Sequence, residues 1–152
     1  AHAPFVGSIR AIDISSKMLE IARGKAESSE VTNVAFEQAV IEEFSAPDQS
    51  FDAVLGLSIL HLLENRDETI TKVYRMLKPG GVFISSTMCA GDTMKVLKRV
   101  APIGKLLGLM PLVKVFSARD LEASMTGAGF ALDHKWQPNK GKAVFIVAKK
   151  PG

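Results

Sequence analysis

The sequence predicts an α/β fold: a mostly parallel sheet with helices on both faces and an antiparallel hairpin at its C-terminal end. Three observations lead there. Short apolar runs alternate with segments of helical periodicity along most of the chain. Residues 51–87 read strand, loop, helix, tight stop, strand, the pattern of a crossover between parallel strands. Two late strand-like segments, 130–136 and 143–148, are joined by Pro138, Asn139, Lys140 and Gly141, a hairpin-like turn. Parallel strands are buried on both sides, so helices are expected on both faces.

Residues 1–7 resemble a helix end and a loop, and the chain does not start with Met. Residues 9–14, IRAIDI, read as a strand closing on an acid. Ser15 and Ser16 are N-cap candidates. Met18, Leu19, Ile21, Ala22 and Ala26 then mark the buried stripe of a helix over residues 16–28. Residues 33–38 form a third strand candidate, and 40–44 a loop or short turn. The run FDAVLGL at 51–57 follows Pro47, Asp48, Gln49 and Ser50, and its length and flanks suit a buried strand. Beyond the polar residues 64–67, Ile70, Val73, Tyr74, Met76 and Leu77 recur at helical spacing. Lys78, Pro79, Gly80 and Gly81 stop that helix, with a cation in its last turn. The next strand begins at 82–87, VFISST. Ser117, Ala118, Arg119 and Asp120 open another helix, which ends at 127–129.

The chain has 152 residues, the size of one domain with a real core. Hydrophobic residues at 47% and charged residues at 23% are ordinary globular usage. A net charge of +3 is too mild to indicate nucleic acid without a clustered patch, and 7% aromatic residues supply no stacking platform. A single cysteine, Cys89, excludes an internal disulfide. No apolar run reaches the roughly 18 residues of a membrane span, and no basic-then-apolar leader opens the sequence, so a soluble cytoplasmic protein is expected. His2, His61 and His134 are too scattered for metal ligation, and no metal is expected.

In an open α/β sheet the ligand sits outside the carboxyl ends of the strands. Asp13 ends the first strand; its carboxylate can accept from both hydroxyls of a ribose, or it can serve the dipole of the helix that follows. The turn at Ala39, Val40 and Ile41 offers backbone groups and an apolar wall for an adenine ring, or is a plain hydrophobic turn. Gly56, Leu57 and Ser58 end the strand at 51–57, and Gly56 allows close backbone approach to a ligand. His61 can act as a general base, orient a substrate, or pack on the first turn after the strand; no acid partner is visible for it. Ser85 and Cys89 lie at or near the end of the next strand, without a His–Asp set to make either a nucleophile.

The segments AIDISSKMLEIARGKAE, FDAVLGLSILHLL and RMLKPGGVFISST, in that order and with the closing hairpin, resemble the class I S-adenosylmethionine-dependent methyltransferases. The resemblance covers essentially the whole chain as one methyltransferase-like domain of Rossmann-like fold. It implies that Asp13 binds the ribose of S-adenosyl-L-methionine, that Ile14 and Met18 flank the adenine, and that Val40 and Ile41 lie at its edge. Leu57 and Ser58 would stand beside the methionine moiety, and His61 near the cofactor and a small-molecule substrate. Many members carry an acid where this chain has Val40. The family's first strand and glycine-rich loop would precede Ile9 and are not in the sequence. That strand is the centre of the sheet, between those ending at Asp13 and at Leu57. The chain is therefore expected to be an N-terminally incomplete piece, binding S-adenosyl-L-methionine weakly or not at all, with open sheet edges that invite self-association.

Residues 93–116 are apolar with Lys95, Lys98, Arg99, Lys105 and Lys114 as the charges and Pro102 and Pro111 as breaks. The resemblance makes 90–116 a substrate-side insertion, suited to an apolar, lipid-like or quinone-like acceptor. It also suits a helix resting on an anionic membrane, and it suits a plain cover over the sheet with snorkelling lysines, the reading favoured here. Two other functions stay open: a non-catalytic interaction module that keeps the fold without the cofactor, and a nicotinamide-dependent dehydrogenase, which the closing hairpin disfavours.

Overall fold

The computed structural model describes residues 3–89, 116–139 and 142–152. These form two compact units that divide between Ser45 and Ala46. The expected insertion at 90–116 lies outside the described residues except for Phe116, as do Lys140 and Gly141 of the hairpin turn.

The first unit is a βαβ crossover. Strand β1 (Ile9–Asp13) pairs in parallel with β2 (Val34–Gln38), Ile9 beside Val34 through Asp13 beside Gln38. Helix α1 (Ser16–Ser28) joins them and begins at Ser15, whose Oγ accepts from the Met18 amide at 3.3 Å. The Asn33 amide group donates to the carbonyls of Ala3 and Val6, both at 2.8 Å, and fastens the short 3-10 turn Ala3–Phe5 to the start of β2. The expected stripe of α1 is only partly buried. Leu19 is buried and Ala22 and Ala26 are half-buried, but Met18 and Ile21 are 54% and 46% exposed. The reason is width: an apolar helix face spans about 100°, and two strands about 5 Å apart cover less of it within this unit.

The second unit holds β3 (Phe51–Leu57), α2 (Arg66–Met76), β4 (Leu77–Met88), α3 (Ala118–Gly127), β5 (Ala131–Trp136) and β6 (Ala143–Lys149). Its sheet runs β3-β4-β6-β5, parallel between β3 and β4 and antiparallel elsewhere. Helices α2 and α3 touch each other and pack on β4 and β5. Ile70, Val73, Leu121 and Met125 from the helices are buried with Phe83, Val144, Ile146 and Ala148 from the sheet. Each of these side chains larger than alanine contributes about 1.5–3 kcal/mol relative to exposure. The Ser117 hydroxyl and the Asp120 carboxylate form a reciprocal capping box that starts α3.

The stop after α2 differs from the sequence reading. Helix α2 ends at Met76, and Leu77 through Gly81 already belong to β4. The end of β6 draws them in: the Gly80 amide donates to Lys150 O at 3.0 Å and the Lys150 amide to Gly81 O at 2.8 Å. Gly80 has φ +76°, and a Cβ on Gly81 would lie 2.8 Å from Lys78 O, so both positions require glycine. The cation that serves the end of α2 is Lys150, not Lys78. Lys150 Nζ donates to Tyr74 O and Leu77 O at 2.9 and 2.8 Å and sits 4.6 Å from the Tyr74 ring centroid. Lys78 instead pairs with Asp52 on the surface.

The α/β class and the closing hairpin are as expected. β1 and β3, which the resemblance places on either side of a central strand, are edge strands of separate sheets among the described residues.

Candidate functional site

In the first unit the carboxyl ends of β1 and β2 lie side by side. The Ala39 amide donates to Asp13 O at 3.2 Å, and the Gln38 side chain donates to Ile14 O at 3.1 Å. The turn that follows is closed on Val40, whose carbonyl accepts from Glu43 and Phe44. Asp13, Ile14, Val40 and Ile41 are thus brought to one end of the two-stranded sheet. The Asp13 carboxylate is divided in its duties. Oδ1 accepts from the Ser15 amide at 2.8 Å, while Oδ2 has no partner among the described residues. Ile14 is 68% exposed and Met18 is exposed too, so a half-free carboxylate stands beside an open apolar surface. An acceptor next to exposed aliphatic groups is the donor-set chemistry a nucleoside needs: hydroxyls to bind and a flat ring to cover.

In the second unit β3 ends at Leu57, which is 57% exposed. Ser58 follows with φ +57°, a left-handed conformation that costs a non-glycine residue about 1–2 kcal/mol. Its amide donates to Ser86 O at 2.7 Å and fixes the turn to β4. Leu60, almost fully buried, anchors the next turn and carries His61. His61 is half-buried, and its Nδ1 is enclosed with no hydrogen-bond partner among the described residues. Burial holds its pKa below the ordinary value, so the neutral imidazole prevails at pH 7. Gly56 also serves the packing of the sheet. A Cβ there would meet the Phe83 ring at 3.1 Å, so the missing side chain makes room for the core.

The sequence reading missed the surroundings of Arg66. A cavity of about 240 Å³ opens at the start of α2, lined by Leu60, Leu63 and Phe116 and by the polar Glu64, Asn65 and Glu68. Arg66 closes one side, 4.3 Å from the Phe116 ring centroid, with Nη2 donating to Ser124 Oγ at 2.9 Å. No local pattern announces a contact between residues 58 positions apart. On β4, Ser85 and Thr87 are buried and bonded to each other at 2.8 Å, which makes them core groups rather than nucleophiles. Among the described residues, no group of three His, Cys, Asp or Glu could hold a metal ion, and no helix is long and apolar enough to cross a membrane.

Comparison with known proteins adds a family. Residues 3–126 match the family described as a methyltransferase domain. The chain is 32% identical over 131 residues to 27-O-demethylrifamycin SV methyltransferase of Amycolatopsis mediterranei, covering 80% of this chain and 44% of that protein. It is 34% identical over 76 residues to the ubiquinone/menaquinone biosynthesis C-methyltransferase of Psychromonas ingrahamii, covering 49% and 30%. The chain spans under half the length of the curated relatives it matches. Among solved structures, the YcgJ protein of Bacillus subtilis superposes with a TM-score of 0.78 at 20% identity, over 99% of this chain and 86% of that one. That likeness shows a shared fold.

Proposed function

The chain belongs to the methyltransferase-domain family, and from that membership we propose that it serves S-adenosyl-L-methionine-dependent methyl transfer to a small-molecule acceptor. The match over residues 3–126 carries this reading. When bound, the cofactor supplies an electrophilic methyl group on its sulfonium, and the protein's work is to bind and orient.

The geometry of each unit supports separate roles. In the first, Asp13 Oδ2 accepts from the ribose hydroxyls while Oδ1 keeps the start of α1 in place. Ile14 and Met18 cover the adenine, and Val40 and Ile41 border it. In the second, Leu57 and Ser58 contact the methionine moiety, with the strained turn at Ser58 holding the backbone in position. His61 is neutral at pH 7 and is the residue placed to hydrogen-bond the acceptor or take its proton. An apolar, lipid- or quinone-like acceptor is favoured; of the relatives named above, one is named for a rifamycin and one for ubiquinone/menaquinone biosynthesis.

Titration of the isotope-labelled chain with S-adenosylhomocysteine, followed by amide NMR, tests this and detects weak binding as well as strong. Shifts are expected at residues 13–18 and 40–41, and at 57–61. Ligand-induced shifts that spare residues 13–18 and 40–41 and fall elsewhere would overturn the cofactor assignment.

A further inference from the structure

Asp13 and Gln38 end β1 and β2 on the same rung of the first unit's sheet. The carboxamide of Gln38 reaches across to the residue after Asp13, where Nε2 donates to Ile14 O at 3.1 Å. That bond decides what the side chain offers. If the carboxamide turned over, its own oxygen would face the Ile14 carbonyl, acceptor against acceptor. Oε1 is therefore held as an acceptor, and it has no partner among the described residues. The other side chains at the strand ends cannot read a base. Ile14, Val40 and Ile41 are aliphatic, and the free oxygen of Asp13 is assigned to the ribose. Aliphatic groups cover the face of a purine whatever its substituents. What tells one purine from another lies on its edge, where a 6-amino group donates and a 6-oxo group accepts.

We propose that Gln38 Oε1 accepts from the 6-amino group of the adenine and so selects an aminopurine nucleoside against an oxopurine one. The assignment rests on the cofactor reading given above and adds to it the group that determines base specificity. With a 6-oxo purine in the site two acceptors would meet, and relief would require Gln38 to turn and release Ile14 O. A buried acceptor left without its donor is costly, and a pair of facing acceptors more so. Glu42 and Glu43 carry the next carboxylates along the chain. They belong to the turn beyond Val40, where the Glu43 amide donates to Val40 O, and are the competing readers of the base.

Adenosine and inosine share a ribose and differ at position 6, so together they probe Gln38 separately from Asp13. All the groups invoked lie in the first unit, so the nucleosides alone are sufficient ligands. In NMR titrations of the isotope-labelled chain, adenosine is expected to move residues 13–18 and 40–41 and the Gln38 side-chain NH2 resonances. Inosine is expected to bind about 5- to 150-fold more weakly. Gln38→Leu removes the acceptor and is expected to weaken adenosine about 2- to 13-fold without weakening inosine. Glu42→Gln and Glu43→Gln are each expected to keep the parent's preference. The parent comparison needs no variant, so a folding defect in Gln38→Leu, visible by circular dichroism, leaves the test in force. Equal affinity of the parent for both nucleosides would overturn the role of Gln38 and leave the ribose contact of Asp13 standing. So would a folded Gln38→Leu chain that keeps the preference, or its loss in either glutamine variant. Nucleoside shifts that spare residues 13–18 and 40–41, or no shifts with either nucleoside, would overturn the cofactor reading and this proposal together.

Discussion

Replacing Asp13 with asparagine separates ligand binding from the start of α1. In the parent, Oδ1 accepts from the Ser15 amide at 2.8 Å, and Oδ2 is without a partner among the described residues. The asparagine carbonyl keeps the Ser15 contact, and its NH2 takes the place of Oδ2. A donor then meets ribose hydroxyls that need an acceptor. A hydrogen bond to a charged group contributes about 1.5–3 kcal/mol, so Asp13→Asn is expected to weaken S-adenosylhomocysteine binding by about 10- to 150-fold. The alanine variant also loses the Ser15 contact and is expected to cost a further 0.5–1.5 kcal/mol or so of stability. The assay is the NMR titration described above, with a urea melt of each variant. A purely structural Asp13 would behave otherwise: Asp13→Asn would lose about 0.3–1 kcal/mol of helix-dipole stabilisation and bind ligand as the parent does. That outcome would refute the ribose assignment.

Three further expectations follow from particular contacts. Lys150→Met leaves Tyr74 O and Leu77 O without their shared donor and is expected to destabilise the second unit by about 1–3 kcal/mol in urea melts. Ser58→Gly relieves the left-handed conformation at φ +57° and is expected to raise stability by about 1 kcal/mol; an unchanged urea midpoint would show that the turn is unstrained. Burial depresses the pKa of His61, so the unfolded chain binds more protons just below pH 6.5. Stability is therefore fully present above pH 6.5 and falls as pH drops toward the folded-state pKa. His61→Gln is expected to flatten that segment of the stability profile, and a parent imidazole titrating at or above 6.5 by NMR would contradict it.

What could be read in advance was whatever local chemistry decides. The bounds of β3 and α1 follow from flanking turn residues and from Ser15, and the capping box at Ser117 and Asp120 declares α3. The end of α2 could not be read, because Leu77 to Gly81 satisfy a helix stop locally but are claimed by a strand partner far along the chain at Lys150. The packing constraint on Gly56 could not be read either, because nothing local reveals the Phe83 ring above it. Met18 and Ile21 followed helical periodicity, which marks an apolar face but not how much of it one sheet can cover. At the candidate site, Asp13 was legible as a strand-end acid, whereas the division of its two oxygens follows from the path of the chain at Ser15. The Arg66, Phe116 and Ser124 cluster joins residues too distant in sequence for any spacing rule.

The strand order β3-β4-β6-β5 has a consequence for biosynthesis. Of these four strands, β6 leaves the ribosome last, yet it occupies an interior place between β4 and β5. Until it emerges, β4 can hold only β3, and β5 has no neighbour to join. The helices α2 and α3 meanwhile have only a partial sheet to cover. The second unit must therefore wait for residues 143–149 before its layers can close. A stop codon shortly before residue 143 would remove the middle of the sheet rather than trim its margin, and its nascent product would present unpaired strands to the cell's quality control.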